Sequence, residues 1–271
     1  MQQAIAVLDS GVGGLTVLKE IMRQLPRESI LYFGDTARAP YGPRPAEEVV
    51  QFTCEIVDYL QQFRPKMIVI ACNTATAVAL QVVQDRVDVP VVGVIRPGAR
   101  AAVGRSKSGV IGVIGTEGTI GSGAYEKALH QLSPRLQVIS IACPAFVPLV
   151  EAGNFHSEHT REIVAAALSP FQSEQMDCLI LGCTHYPFLA DAISDVIGPK
   201  VSLINSAEET AREISAILQN RRELAGSEEI PMLQLLCSGK TEPFQTIAYE
   251  WLDGQIRSNP VVWRVPQFSA T

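Results

Sequence analysis

Two stretches of this chain close in the same way. Pro65-Lys66-Met67-Ile68-Val69-Ile70-Ala71-Cys72-Asn73-Thr74 and Met176-Asp177-Cys178-Leu179-Ile180-Leu181-Gly182-Cys183-Thr184-His185 are both apolar runs that end on a thiol, and the two thiols lie 111 positions apart. A short unbroken apolar run bounded by polar residues reads as a strand buried on both faces, the kind that parallel sheets covered by helices contain. A second pair of segments repeats at nearly the same spacing. Ala4 to Leu8, the loop Asp9-Ser10-Gly11-Val12-Gly13-Gly14 and a helical pattern at Leu15, Leu18, Ile21 and Leu25 form a strand, glycine turn and helix. Shifted by 107 positions, Val110 to Ile114, Gly115-Thr116-Glu117-Gly118-Thr119 and the spacing Ser122, Tyr125, Leu129 and Leu132 form another, with Asp9 opposite Thr116. Order and spacing kept over about a hundred residues point to a duplicated unit.

The expected fold class is therefore α/β: two pseudo-symmetric domains, each a largely parallel sheet flanked by helices. A first boundary is expected at Val92-Gly93-Val94-Ile95-Arg96-Pro97-Gly98, where a strand ends and a Pro-Gly turn begins. Ala207 to Asn220 reads as an amphipathic helix. Met232 to Cys237 is an apolar strand that needs a sheet to pair with, so the chain is expected to return to the first domain. The boundaries are then 1–95 plus 207–271 for the first domain and 96–206 for the second. Gly226-Ser227-Glu228-Glu229 is expected to form a mobile loop. The charge on Arg96 suggests no role.

At 271 residues the chain is long enough for two cores. Its net charge of −6 argues against nucleic acid and against an anionic membrane surface, both of which call for basic patches. No apolar run reaches the roughly 18 to 20 residues of a membrane span, and Met1-Gln2-Gln3 lacks the basic start of a signal peptide. A cytoplasmic protein acting on a small molecule is expected. The six cysteines include no Cys-x-x-Cys pair, which favours free thiols over a disulfide framework or zinc site. No metal is expected.

Strands of an open α/β sheet gather ligands at their carboxyl ends, so Cys72 and Cys183 are both aimed at a binding site. Two opposed acid/base groups are what inversion of a stereocentre by proton transfer requires. Each thiol precedes a helical stretch, Ala75 to Val83 or Phe188 to Val196, and a thiol at a helix N-terminus is expected to titrate below its ordinary value. Cys54, Cys143, Cys178 and Cys237, the last placed in the final strand, read as structural. Beside Cys183, His185 is a second acid/base candidate; His130, His156 and His159 read as structural or solvated. Asp9 can hold a substrate ammonium, assist Cys72, or simply cap a helix. Hydroxyls and backbone N–H groups of Ser10, Gly11, Gly13, Thr116, Thr119 and Ser122 at two helix starts suit a carboxylate. Nucleotide binding is rejected because Thr16 stands where a third glycine would complete G-x-G-x-x-G, and neither loop ends in Gly-Lys-Ser/Thr. With no lysine in these motifs, a Schiff-base mechanism has no amine to use.

Taken in order, Asp9-Ser10-Gly11-x-Gly13-Gly14-Leu15-Thr16-Val17, Gly34-Asp35-Thr36-Ala37-x-x-Pro40-Tyr41-Gly42, Ala71-Cys72-Asn73-Thr74-Ala75 and Gly182-Cys183-Thr184-His185-Tyr186-Pro187 resemble the glutamate racemases of the aspartate/glutamate racemase family. The likeness runs to about residue 215 and takes in Phe146-Val147-Pro148-Leu149-Val150-Glu151. It implies a cofactor-independent enzyme that interconverts L- and D-glutamate for peptidoglycan, with the two domains closing over the substrate. It implies that Cys72 and Cys183 exchange the roles of thiolate and thiol, assisted by Asp9 and His185. Substrate contacts are implied at Asp9, Ser10, Tyr41, Gly42, Asn73, Thr74, Thr184 and His185, and further at Thr116, Thr119 and Glu151. A homodimer is compatible with the sequence, which does not show the face used. Three rivals remain: a racemase of aspartate, a two-domain protein that binds an amino acid without altering it, and a thiol redox protein. The last lacks closely spaced cysteines.

Overall fold

The computed structural model describes residues 3–226, 230–256 and 261–264. Most of the loop expected at 226–229 lies outside the described residues. The first half alternates strand and helix: β1 (Ile5–Asp9), α1 (Leu15–Gln24), β2 (Ile30–Gly34), α2 (Ala46–Gln61), β3 (Met67–Ile70), α3 (Asn73–Gln84) and β4 (Val91–Gly93). The second half continues with α4 (Ile95–Arg105), β5 (Val110–Gly115), α5 (Glu117–Gly121), α6 (Ala124–Leu132), β6 (Gln137–Ala142), α7 (Phe146–Glu151), α8 (Glu158–Leu168), β7 (Cys178–Gly182), α9 (Ala190–Ile197) and β8 (Ser202–Ile204). The chain ends in α10 (Ser206–Arg221), β9 (Leu233–Cys237), α11 (Thr241–Ile256) and β10 (Val261–Arg264).

Two separate sheets result, ordered β10-β9-β2-β1-β3-β4 and β6-β5-β7-β8. Every pairing in both is parallel. The run β2-β1-β3-β4 has the same order as β6-β5-β7-β8, so the internal repeat of the sequence appears as a repeat of topology. β9 and β10 extend the first sheet beyond β2, so Cys237 ends the penultimate strand and not the final one.

Burial on both faces explains the apolar runs. From β1, Ile5 and Val7 pack toward α1, α10 and α11, while Ala6 and Leu8 pack toward α2 and α3. In the second sheet, Leu179 and Leu181 of β7 face α8 and α9, and Ile180 faces α4 and α6. Trp251 of α11 packs against both the first core and the α8–α9 side of the second, where its ring lies 3.8 Å from that of Phe188.

Three local expectations are corrected. Pro97-Gly98 forms no turn: α4 already begins at Ile95 and contains both residues. Proline is tolerated in a first helical turn, where its missing N–H would have had no partner. Arg96 is exposed on that turn. Ser122 lies outside α6, because Gly123 adopts a left-handed conformation (φ 63°) between α5 and α6. Finally, the register shifts the repeat by one residue. β1 pairs Leu8 with Ile70, which two steps on brings Ser10 opposite Cys72. β5 pairs Gly115 with Gly182, which one step on brings Thr116 opposite Cys183. The counterpart of Thr116 is thus Ser10, not Asp9.

Candidate active site

Both thiols sit at carboxyl ends of central strands, and the two sheets turn those ends toward a shared cavity of about 310 Å³. Cys72 and Cys183 are nearly equally buried, at 5% and 7% exposed. Their settings differ. Cys72 is the N-cap of α3, and its Sγ accepts the Ala75 N–H at 3.4 Å. Cys183 caps no α-helix, contrary to the sequence reading. A short 3₁₀ turn, Tyr186–Leu189, follows it, and α9 starts only at Ala190. Pro187 disfavours α conformation in the residue before it and delays the helix.

The expected lowering of both thiols is also corrected. Burial pushes the Cys72 thiol up to about 12, and the neighbouring charge of Asp9 adds to this against the Ala75 N–H and the Ser10 hydroxyl. Removal from water disfavours the thiolate more than one helix end favours it. Asp9 is itself raised by burial, opposed by His185 and by the N–H groups of Gly14, Gly11 and Ser10. Its Oδ2 accepts from Gly11 N at 2.9 Å, and its buried Oδ1 has no partner among the described residues.

Cys183 Sγ lies 3.7 Å from His185 Nδ1. On the other side of the ring, His185 Nε2 is 3.5 Å from Glu151 Oε1, an ion-pair distance without hydrogen-bond geometry. Burial works against the charged imidazole, but Cys183, Glu151 and Asp9 outweigh it and raise His185 to about 10. The ring is a cation at neutral pH.

The two halves meet at this rim. Thr74 Oγ1 of α3 is 2.9 Å from Thr116 Oγ1 and 3.2 Å from Thr119 Oγ1. Gly118 N donates to Gly42 O at 2.9 Å. Gly13 lies so close to the Cys183 loop that a Cβ there would fall 2.3 Å from Thr184 Oγ1 and 2.6 Å from His185 Nδ1. Only a residue without a side chain fits.

Ser10, Asn73, Thr74 and Thr116 line the cavity from one side and Glu151, Thr184 and His185 from the other, with Tyr41 and Gly42 at its rim. Asp9 and Thr119 stand behind this wall: Asp9 supports the Ser10 loop, and Thr119 holds Thr74 and Thr116. The Tyr41 hydroxyl is turned away, donating to the buried Asp35 carboxylate. What Tyr41 presents to the cavity is its backbone.

Sequence reasoning missed Glu117 and Pro144, which also line the cavity. Glu117 opens α5, where an acidic residue reads as a response to the helix dipole. Among the described residues that line the cavity there is no lysine or arginine. Among the described residues no group of three or more His, Cys, Asp or Glu could hold a metal ion. No helix among them is long and apolar enough to cross a membrane.

Residues 5–214 match the family model described as Asp/Glu/Hydantoin racemase. The chain belongs to the Asp/Glu/hydantoin racemase family. Within that family it is 52% identical over 258 residues to a glutamate racemase of Bacillus cereus, covering 95% of this chain and 96% of that one. The glutamate racemase isoform RacE1 of Bacillus anthracis superposes with a TM-score of 0.93 at 47% identity, over 99% of both chains. A glutamate racemase of Francisella tularensis, solved in complex with D-glutamate, gives a TM-score of 0.91 at 30% identity, over 100% of this chain and 99% of that one. These racemases share the two-sheet α/β architecture.

Proposed function

We propose that the protein interconverts L- and D-glutamate by proton transfer between two thiols, and that the D-glutamate it forms serves peptidoglycan synthesis. The observation that carries the reading is the placement of Cys72 and Cys183 on opposite halves of the molecule against one cavity. One sulfur, as thiolate, takes the α-proton, so that the C–H bond breaks and an S–H bond forms. The other, as thiol, delivers its proton to the opposite face of the carbon. The sulfurs end with roles exchanged, and the reverse reaction uses the exchanged pair.

The charge pattern supports a division of roles in the unliganded protein. An imidazolium beside a sulfur favours negative charge on that sulfur, and His185 is so placed at Cys183. Cys72 is held as the neutral thiol by burial. With no lysine or arginine among the described wall residues, the substrate carboxylates are met by neutral donors: the threonine hydroxyls, the Asn73 amide and backbone N–H groups at the start of α3. Preorganised donors of this kind stabilise the charge that develops as the α-proton leaves. Residues 96–206 form a lobe that closes on a lobe made of 1–95 and 207–271, which excludes water from the thiols. Glutamate is preferred to aspartate because relatives that are half identical to this chain carry the glutamate name.

Incubation with each enantiomer in deuterated water tests the reading, following optical rotation and loss of the α-proton together. Both enantiomers should racemise, and the product should carry deuterium. Cys72→Ser and Cys183→Ser should each lower racemisation by about 10²-fold or more while far-ultraviolet circular dichroism stays unchanged. Near-normal turnover in either variant would sink the two-thiol mechanism. A wild-type protein that binds glutamate without exchanging its α-proton would instead be a binding protein.

A further inference from the structure

Tyr125 reads in the sequence as one apolar position of α6, and it does not line the cavity. Its hydroxyl nevertheless crosses from the second half to the first and donates to Asn73 Oδ1 at 2.7 Å. The path is shaped for the ring. Gly182, the residue before Cys183, leaves room for it: a Cβ at that position would lie 2.9 Å from Tyr125 Cε2. Gly98 of α4 does the same near the hydroxyl, where a Cβ would come within 3.5 Å. Burial raises the phenol well above its ordinary value, with the charge of Cys183 acting in the same sense and Ser206 against it, so the group remains a donor.

A phenol that donates to Oδ1 fixes which way the amide faces. Asn73 Nδ2 is then directed away from Tyr125, and this buried nitrogen has no partner among the described residues. An unsatisfied buried N–H group is costly, and such groups persist where a ligand takes the bond. Asn73 is the first residue of α3 and adjoins Cys72, so its amide and the helix N–H groups converge on the same wall.

We infer that Tyr125 is a positioning residue: through Asn73 Oδ1 it holds the Nδ2 donor toward a substrate carboxylate, and so couples the second half to the binding surface of the first. The inference rests on the proposed glutamate reading. Without the phenol the amide can rotate, and its oxygen can then face the carboxylate and repel it.

Titration calorimetry with racemic glutamate tests this, because a mixture already at equilibrium undergoes no net turnover. Tyr125→Phe keeps the ring and should weaken Kd about five- to tenfold, the effect of one well-placed hydrogen bond. In an Asn73→Ala background the same change should alter Kd by less than about twofold, since the phenol then has no amide to orient. Asn73→Asp, which can still accept from Tyr125 but offers no N–H, should bind as weakly as Asn73→Ala. In turnover assays, Tyr125→Phe should raise KM by a larger factor than it lowers kcat. The inference is overturned if Tyr125→Phe leaves Kd unchanged, if it weakens Kd equally in both backgrounds, or if Asn73→Asp binds like wild type. A wild-type protein that fails to bind glutamate would refute the glutamate reading instead.

Discussion

Among the described residues His185 is the one cation against the cavity, and it is buried, so its protonation is coupled to folding. Its value rises from an ordinary 6.5 to about 10 in the folded protein. A raised value means that the folded state binds the proton more tightly than the unfolded state does. The stabilisation is therefore full below about pH 6.5 and is lost as the pH rises through about 10. In urea titrations His185→Gln should cost about 1–3 kcal/mol at pH 6, in the range for a hydrogen bond to a charged group, and clearly less at pH 10. An equal loss at both values would show that the imidazole packs without carrying charge. The sequence placed this histidine beside a candidate thiol by adjacency alone. The unlike settings of the two thiols were not legible, since the matched segments differ only after the sulfur, in Asn73-Thr74 against Thr184-His185-Tyr186-Pro187. Tyr125 was hidden for a similar reason: a tyrosine at helical spacing looks like core whether or not its hydroxyl has a distant partner.

At the scale of elements, strand ends bring the functional residues together and glycines set how closely the connecting loops approach. Gly13 marks the tightest contact between the first glycine loop and the Cys183 loop. Gly13→Ala must displace Thr184 and His185, and racemisation is expected to fall about 10²-fold, as for a displacement of roughly 1 Å at a reacting group. Gly104 serves as the control. It lies in α4, and a Cβ added there would meet nothing within 4 Å, so Gly104→Ala should stabilise the protein by about 0.4–1 kcal/mol. Thermal melting and turnover of both variants check the pair of expectations, and a fully active Gly13→Ala would remove Gly13 from the closure. The strands themselves were legible because burial on both faces demands continuous apolar sequence. The one-residue slip of the repeat was not, because register depends on hydrogen bonds between strands far apart in the chain.

At the scale of the whole molecule, the chain leaves the first sheet after β4, builds the second, and returns through α10 to β9. A buried ion pair anchors the return: Lys66 Nζ lies 2.5 Å from Glu28 Oε2, donates to Glu223 O at 2.7 Å, and Glu28 Oε1 accepts from Ala225 N at 2.8 Å. Removing one partner leaves a buried charge, so Lys66→Met should cost about 3–5 kcal/mol in urea unfolding, and Lys66→Met with Glu28→Leu should recover much of it. A loss below about 1 kcal/mol for Lys66→Met would show that the pair is solvated and anchors nothing. The sequence by itself determined the α/β class, the repeat and the two thiol-bearing strand ends, because local burial and turn chemistry are written in apolar periodicity and in glycine placement. Only the tertiary structure decided which sulfur meets an imidazolium, which stays a neutral thiol, and which way the Asn73 amide faces. Those properties depend on charge, solvent exclusion and hydrogen-bond partners contributed by residues of the opposite half, and no local pattern encodes them.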